Sequence, residues 1–240
     1  MIRIYYPDFL INDSKESIVD LSIIHRLNNV LRVGKGNQIE IFNREGKIFC
    51  VEIEKKALKQ IDVKIINSYD NPHNASSDII LAVAFPKGKR GEWIIEKATE
   101  LGVKKIIILE THRSVMKPGE GRINKWKQIA IHASEQSKRT DVPEINLGNI
   151  EEIKGTKIAA IIGSKLSIKE TLDKNQDIPK VVTYLVGPEG DWTEEEKKHL
   201  IELGVSPVTL GSITLRVETA ALYGVAVIAE WTNQNKKKIL

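Results

Sequence analysis

Three short segments carry the residue types from which a binding or catalytic site could be built: LVGPEGDW (185–192), LGSITLRVETA (210–220) and ETHRSV (110–115). The first packs Gly187, Pro188 and Gly190 into four residues, just ahead of a Thr193-x-x-Glu196 capping box. Glycine there lets a ligand approach bare backbone, and a plain tight turn satisfies the same spacing equally well. Neither G-x-G-x-x-G nor G-K-[ST] is present, which disfavours dinucleotide and nucleoside-triphosphate cradles. In the second segment Arg216 stands between apolar Leu215 and Val217, with Glu218 and Thr219 following. A half-buried arginine pairs with a carboxylate or a phosphate, so a structural ion pair with Glu218 or Glu189 competes with a functional role. The third segment offers Thr111, His112 and Arg113. It has no second histidine at i+4 and no G-x-S-x-G around Ser114, so metal-assisted and covalent chemistry are both poorly supported.

These segments need elements to hold them. Residues 1–70 show strand-like alternation in RIYYPDF, NQIEIFN, KIFCVEIE and QIDVKIINS. One helical stretch interrupts them, SIIHRLNNVLR, with Ile23, Leu27, Val30 and Leu31 expected on one face. DNPHNASS (70–77) reads as a linker. Beyond it the pattern becomes strand–helix alternation: IILAVAF, then RGEWIIEKATEL closed by Gly102, VKKIIIL, INKWKQIAIHASEQSK, KIAAIIG, VVTYLV, TEEEKKHLIEL closed by Gly204, VTL and ETAALYGVAVIAEW. The last helix is apolar on nearly every side and is expected to be buried, and the tail NQNKKKIL to fray. Fully apolar strands separated by helices predict a parallel sheet covered on both faces. The expected organisation is a β-rich domain over 1–71 followed by an α/β domain over 76–240. Ligands of such sheets bind at the carboxyl ends of strands, where the three segments fall.

Composition narrows the class further. No apolar stretch reaches the roughly 18 residues of a membrane helix, no signal peptide is visible, and one cysteine, Cys50, excludes a disulfide framework. The cytoplasm is the expected compartment. Net charge is +4, but residues 85–140 hold 13 Lys and Arg against 6 Asp and Glu, while 141–240 hold 12 against 15. A concentrated basic excess is what a polyanion-binding face requires, and a lysine-rich solvated helix surface produces the same count. Glu135, Gln136 and Arg139, near the end of HASEQSKRTDVP, read locally as a solvated helix terminus.

Taken in order, HRLNNVLRVGKGNQIEIFNREG, KGKRGEWIIEKATELGVKKI, HASEQSKRTDVP, LVGPEGDWTEEE and LGSITLRVETAAL resemble the signature blocks of the ribosomal RNA small subunit methyltransferase E family. The resemblance spans about residues 1–231. It implies an α/β protein: an N-terminal PUA-like β-barrel and a C-terminal SPOUT-type α/β domain with a trefoil knot, forming a homodimer. The implied reaction is transfer of a methyl group from S-adenosyl-L-methionine to N3 of a uridine in 16S rRNA, on the small ribosomal subunit, without a metal. The sequence departs from the family pattern at Asp191, usually glycine, and at Ser212, Ile213, Thr214 and Val217.

For individual residues, the resemblance implies that bare backbone at Val186, Gly187, Gly190, Leu210, Gly211 and Leu215 hydrogen-bonds the cofactor. Leu210, Ile213 and Leu215 would cover its adenine, and Thr111, Pro188, Glu218 and Thr219 belong to the same set. Arg216 would stabilise charge developing on the uracil as N3 loses its proton, with Glu189 accepting that proton or orienting Arg216. Arg26, Arg32, Lys87, Lys89, Arg90, Arg113 and Arg139 would grip RNA, mostly through phosphates. Two rivals remain: methylation of a ribose 2′-hydroxyl or another base, and a ribosome-assembly protein without catalysis.

Overall fold

The computed structural model describes residues 1–10, 15–70, 77–114 and 118–236. It divides into two compact units, Met1–Asn74 with Ser134–Asp141, and Ala75–Ala133 with Val142–Leu240. Most of the expected linker, 71–76, and the last four residues of the tail lie outside the described residues. Relative to the expected boundaries, the segment 134–141 joins the first unit.

The first unit is a five-stranded mixed sheet: β1 (Ile2–Tyr5), β2 (Lys15–Ile18), β3 (Gln38–Phe42), β4 (Lys47–Lys56) and β5 (Ile61–Asp70), ordered β1-β3-β4-β5-β2. The alternation seen in sequence turns Ile39, Ile41, Phe49, Val51, Ile53, Ile61 and Val63 inward. β2 was not anticipated, because KESI holds a single apolar residue. The helix α1 (Leu21–His25) is capped by Asp20, which accepts from the amides of Ser22 and Ile23 at 2.8 and 3.0 Å. It then widens into a π turn over Arg26–Val30, where the Leu31 amide reaches the Arg26 carbonyl at 2.9 Å. The wider turn rotates each residue less, so Val30 leaves the expected face and is 65% exposed, while Ile24 and Leu27 are buried.

Segment 134–141 corrects the reading of a solvated helix end. Glu135 is 3% exposed. Its Oε1 accepts from the Tyr5 amide and from Arg26 Nη1, each at 2.9 Å, and its Oε2 pairs with Arg26 Nη2. Arg3 donates to the carbonyls of Lys138 and Arg139 and pairs with Glu40 at 3.0 Å, its register partner in β3. Burial pushes the Glu40 carboxyl up, but hydrogen bonds from Tyr69 and Arg3 outweigh it and leave the group below its ordinary value.

The second unit is built on six parallel strands: β6 (Asp78–Val83), β7 (Lys105–Leu109), β8 (Glu144–Gly148), β9 (Thr156–Ala160), β10 (Val181–Val186) and β11 (Ser206–Val208). Their order is β11-β9-β10-β6-β7-β8. The helices are α2 (Lys89–Glu100), α3 (Glu120–Gln136), α4 (Ile168–Leu172), α5 (Glu194–Glu202) and α6 (Val217–Lys236). As the apolar strands predict, both faces are covered. Leu81, Val83, Ile106, Ile108, Tyr184 and Val186 pack with residues of α2, α3 and α6, and Ala82, Ile107, Leu109 and Leu185 pack with Trp192 and Leu200.

Four elements differ from the sequence reading. β8 is an edge strand whose exposed Glu144, Asn146 and Leu147 hide its pattern, and α4 is too short to show periodicity. The last strand lies over Ser206–Val208 rather than Val208–Leu210, because an edge strand paired only with β9 tolerates Pro207. α6 is not buried all round: Thr219, Tyr223, Ala226 and Glu230 form an exposed stripe.

The inner face of α6 is pressed onto β10. Tyr184 is fully buried and donates to the Ala220 carbonyl at 3.0 Å, and burial pushes its phenol far above its ordinary value. A Cβ at Gly224 would lie 2.2 Å from the Tyr184 ring. Gly224→Ala gains about 1 kcal/mol of helix propensity, but overpacking costs about 1–3 kcal/mol and more at such a separation. Urea titration is expected to show a net loss of at least about 1 kcal/mol, and an unchanged midpoint would contradict this packing.

Candidate functional site

The strands wind outward from β6 to β7 and β8, then reverse to β9, with β10 filling the place between β9 and β6. Ligand sites of open α/β sheets form at such reversals. A cavity of about 680 Å³ opens there, within the range of roughly 300–1,000 Å³ usual for small-molecule sites. Its walls are residues 160–163 after β9, residues 186–189 with Asp191 after β10, residues 208–217 between β11 and α6, and Arg90.

The conformation of GPEGDW follows from Trp192. That indole is 1% exposed and folds back on its own loop, where a Cβ at Gly187 would lie 2.8 Å from the ring. Its Nε1 donates to the Ala160 carbonyl, at the end of β9, at 3.1 Å. The loop is therefore pinned to the neighbouring strand, and Gly187 is required by packing. The Asp191 amide closes a turn onto the Pro188 carbonyl at 3.0 Å. Asp191 itself is left-handed, φ 58°, with its carboxylate 3.1 Å from Lys197. The capping box is formed as read: the Thr193 amide donates to Glu196 Oε2 at 2.8 Å, and the Glu196 amide to Thr193 Oγ1 at 3.1 Å.

Of the residues singled out in the sequence, Val186, Gly187, Pro188, Glu189, Leu210, Gly211, Ile213, Leu215 and Arg216 line this cavity. Leu210 and Leu215 also pack on the core, whereas Ile213 is 76% exposed and forms rim rather than a covered face. Arg216 corrects the half-buried expectation. It is exposed and has no ion pair among the described residues, and Glu189 faces Arg90 instead. Gly190 and Thr219 are exposed outside the lining, and Glu218 is buried beside it.

The loop after β7 contributes no wall. Thr111 is buried and hydrogen-bonded to Ser114, its amide at 2.8 Å and its hydroxyl at 2.9 Å from Ser114 Oγ. The reason is strand order: β7 lies beyond β6, while β9 lies beside β10 and β11. Ile161, Ile162 and Gly163, after β9, take the place expected for ETHRSV; the sequence reading did not single them out, nor the Trp192 ring, and marked Asp191 only as a departure from the family pattern. The available signal was the glycine ending KIAAIIG.

The cations divide. Arg26 is held by Glu135, Arg139 pairs with Asp141 at 2.9 Å, and Arg113 donates to the Gly190 carbonyl. Arg90 stands 2.5 Å from Glu189 and 3.8 Å from Glu218. Arg32, Lys87 and Lys89 are exposed. Among the described residues no group of three or more His, Cys, Asp and Glu could hold a metal ion, and no helix is long and apolar enough to cross a membrane.

Comparison with known proteins adds three kinds of likeness. Residues 73–229 match the profile of the RNA methyltransferase domain family. The chain is 30% identical to the ribosomal RNA small subunit methyltransferase E of Bacillus subtilis, over 87% of this chain and 88% of that one. Among solved structures it resembles the enzyme of that name from Neisseria gonorrhoeae bound to S-adenosylmethionine, with TM-score 0.85, 28% identity and coverage of 96% and 97%. It also resembles a Legionella pneumophila methyltransferase in complex with the same cofactor, with TM-score 0.84, 30% identity and coverage of 95% and 97%.

The left-handed backbone at Asp191 makes a stability prediction. An aspartate tolerates φ near 58° better than a branched side chain does. Asp191→Val is expected to lower stability by about 1–2 kcal/mol, while Asp191→Gly stays within about 0.5 kcal/mol of the parent because the exposed Lys197 pair contributes little. Equal losses in the two variants, measured by denaturant titration, would rule out the backbone as the cause.

Proposed function

The chain belongs to the ribosomal RNA small subunit methyltransferase E family, and on that premise we propose that it methylates N3 of a uridine in 16S rRNA of the small ribosomal subunit. The observation that carries the reading is the cavity at the carboxyl ends of β9, β10 and β11, with an exposed, unpaired arginine at its mouth. Its residues fit S-adenosylmethionine. Val186, Val208, Leu210 and Leu215 provide apolar wall, and the loop backbone around 186–187 and 210–211 lines the same cavity. Bound there, the cofactor supplies an electrophilic sulfonium methyl, so the chain need not supply a metal or a nucleophile.

What the chain supplies is position and charge. Uracil N3 carries a proton, and removing it spreads negative charge over N3 and the flanking carbonyl oxygens. Arg216 is the cation free to meet that charge, and Glu189 stands half-exposed at the same mouth as the proton acceptor. Arg32, Lys87 and Lys89, exposed and in no ion pair among the described residues, are the phosphate contacts of this reading; Arg26, Arg113 and Arg139 have internal work. The five-stranded sheet supports a PUA-like barrel. The late insertion of β10 between β9 and β6 supports a trefoil knot, and the exposed stripe of α6 a homodimer. The cytoplasm is where such a substrate is assembled.

The test is transfer of a labelled methyl group to small subunits lacking the modification, followed by nucleoside identification. The expected product is N3-methyluridine, and a ribose-methylated nucleoside would sink the assignment. Arg216→Ala is expected to slow transfer about a hundredfold with an unchanged unfolding midpoint. Parental turnover in that variant would remove Arg216 from the chemistry.

A further inference from the structure

The basic excess over residues 85–140 counts Arg90 among the cations available to RNA, but its surroundings give it a different task. Arg90 lies in the first turn of α2 and lines the cavity. Its Nη1 is 2.5 Å from Oε1 of Glu189, in the turn after β10, and 3.8 Å from Oε2 of Glu218, in the first turn of α6. One guanidinium thus faces two carboxylates carried by two different walls of the same cavity. The Glu218 side chain is nine-tenths buried, and its Oε2 accepts no hydrogen bond among the described residues. A buried carboxylate oxygen without a donor is costly, and Arg90 is the cation that faces it.

The support beneath Arg90 is rigid. Gly91 is packed so closely on Phe85 that a Cβ there would lie 2.7 Å from the ring. Phe85 lies two residues beyond β6, which is hydrogen-bonded along β10. Arg90 is therefore carried by the same sheet that carries the turn it holds. Binding an RNA phosphate instead would require it to release Glu189 and to leave the buried Glu218 carboxylate without a counterion.

We propose that Arg90 is a positioning residue of the transfer reaction: it draws Glu189 and Glu218 towards one guanidinium and so holds the turn after β10 and the start of α6 at the separation that admits the cofactor. The proposal rests on the methyltransferase reading given above. Without Arg90, two carboxylates, one of them buried, lose their shared cation and repel each other, and the walls they belong to part. The Arg90–Glu189 pair is itself half-exposed, so the fold as a whole depends on it little.

The experiment is calorimetric titration of the full chain with S-adenosylhomocysteine, alongside thermal unfolding without ligand, for the parent, Arg90→Ala, Arg90→Lys, Glu218→Gln and the Arg90→Ala/Glu218→Gln double variant. Arg90→Ala is expected to weaken binding about tenfold with little change in the melting midpoint, and Arg90→Lys to recover part of the loss. Glu218→Gln is expected to weaken binding in the parent but to strengthen it in the Arg90→Ala background, where it removes an unpaired buried charge. A merely structural role does not produce that change of sign. Parental affinity in Arg90→Ala, or additive losses in the double variant, overturns the clamp alone. A parent that does not bind S-adenosylhomocysteine overturns the methyltransferase reading and the clamp together.

Discussion

β10 has neither a free edge nor a free face, and the rest of the second unit is arranged around that constraint. It is hydrogen-bonded to β6 on one side and β9 on the other, and apolar clusters cover it above and below. Such a strand must be apolar throughout, and VVTYLV is, apart from Thr183, whose hydroxyl donates to the Lys154 carbonyl at 2.6 Å. Tyr184 fills one face so completely that α6 must offer a glycine to lie against it. At the carboxyl end the chain can leave only by turning sharply, and Trp192 closes that turn by donating to the Ala160 carbonyl of β9. The turn that forms one wall of the cavity is therefore part of the core beneath it. A ligand site built this way has its backbone fixed before any ligand arrives, which is the condition for binding through bare amides and carbonyls.

How much of this was legible in the sequence depends on whether the information is local. The apolar strands, the capping box at Thr193 and the closures at Gly102 and Gly204 are local, and the structure has them. Strand order is not local. ETHRSV and KIAAIIG are both strand-end segments, and nothing in either says which one lies beside β10. ETHRSV holds more chemistry-bearing residues, but strand order puts KIAAIIG on the cavity. A similar limit applies to Gly187: two glycines around Pro-Glu announce an unusual backbone, but the ring that requires one of them arrives from five residues downstream. Helix α1 failed for another reason, since a π turn changes the angular period on which the facial reading relies.

Charge shows the same division more sharply. Counting signs along the chain located a basic segment but could not say which cations were already spent. Glu135 looked like a solvated helix end because its partners, Tyr5 and Arg26, are more than a hundred residues away. Once they are known, Glu135 is a buried acceptor with both oxygens occupied, and Arg26 is the group that makes its burial tolerable. Arg113 is committed to a backbone carbonyl of the GPEG turn in the same way. Of the cations considered, the one that sequence placed among apolar neighbours, Arg216, is the one left exposed and unpaired at the cavity. Lys87 and Lys89 are exposed as well, but they do not line the cavity, and Arg216 does.

Backbone strain completes the pattern. Among the described residues three that are not glycine have left-handed φ: Arg32 at 50°, Lys138 at 58° and Asp191 at 58°. Asp191 lines the cavity of the second unit, while Arg32 and Lys138 both line a hollow of about 540 Å³ in the first. Such conformations cost of order 1–3 kcal/mol and persist only where the surroundings over-determine them. Each of the three lines a concavity. The unpaired Arg216 guanidinium lines the same cavity as Asp191, and beside it lies Glu218, whose Oε2 faces Arg90 but accepts no hydrogen bond among the described residues. Strain, a buried acceptor without a hydrogen bond and a free cation thus gather around one cavity, while the sheet below it is satisfied on every edge that β10 presents. The sheet body is thus satisfied, and the departures from local rules collect at its carboxyl end, around the cavity.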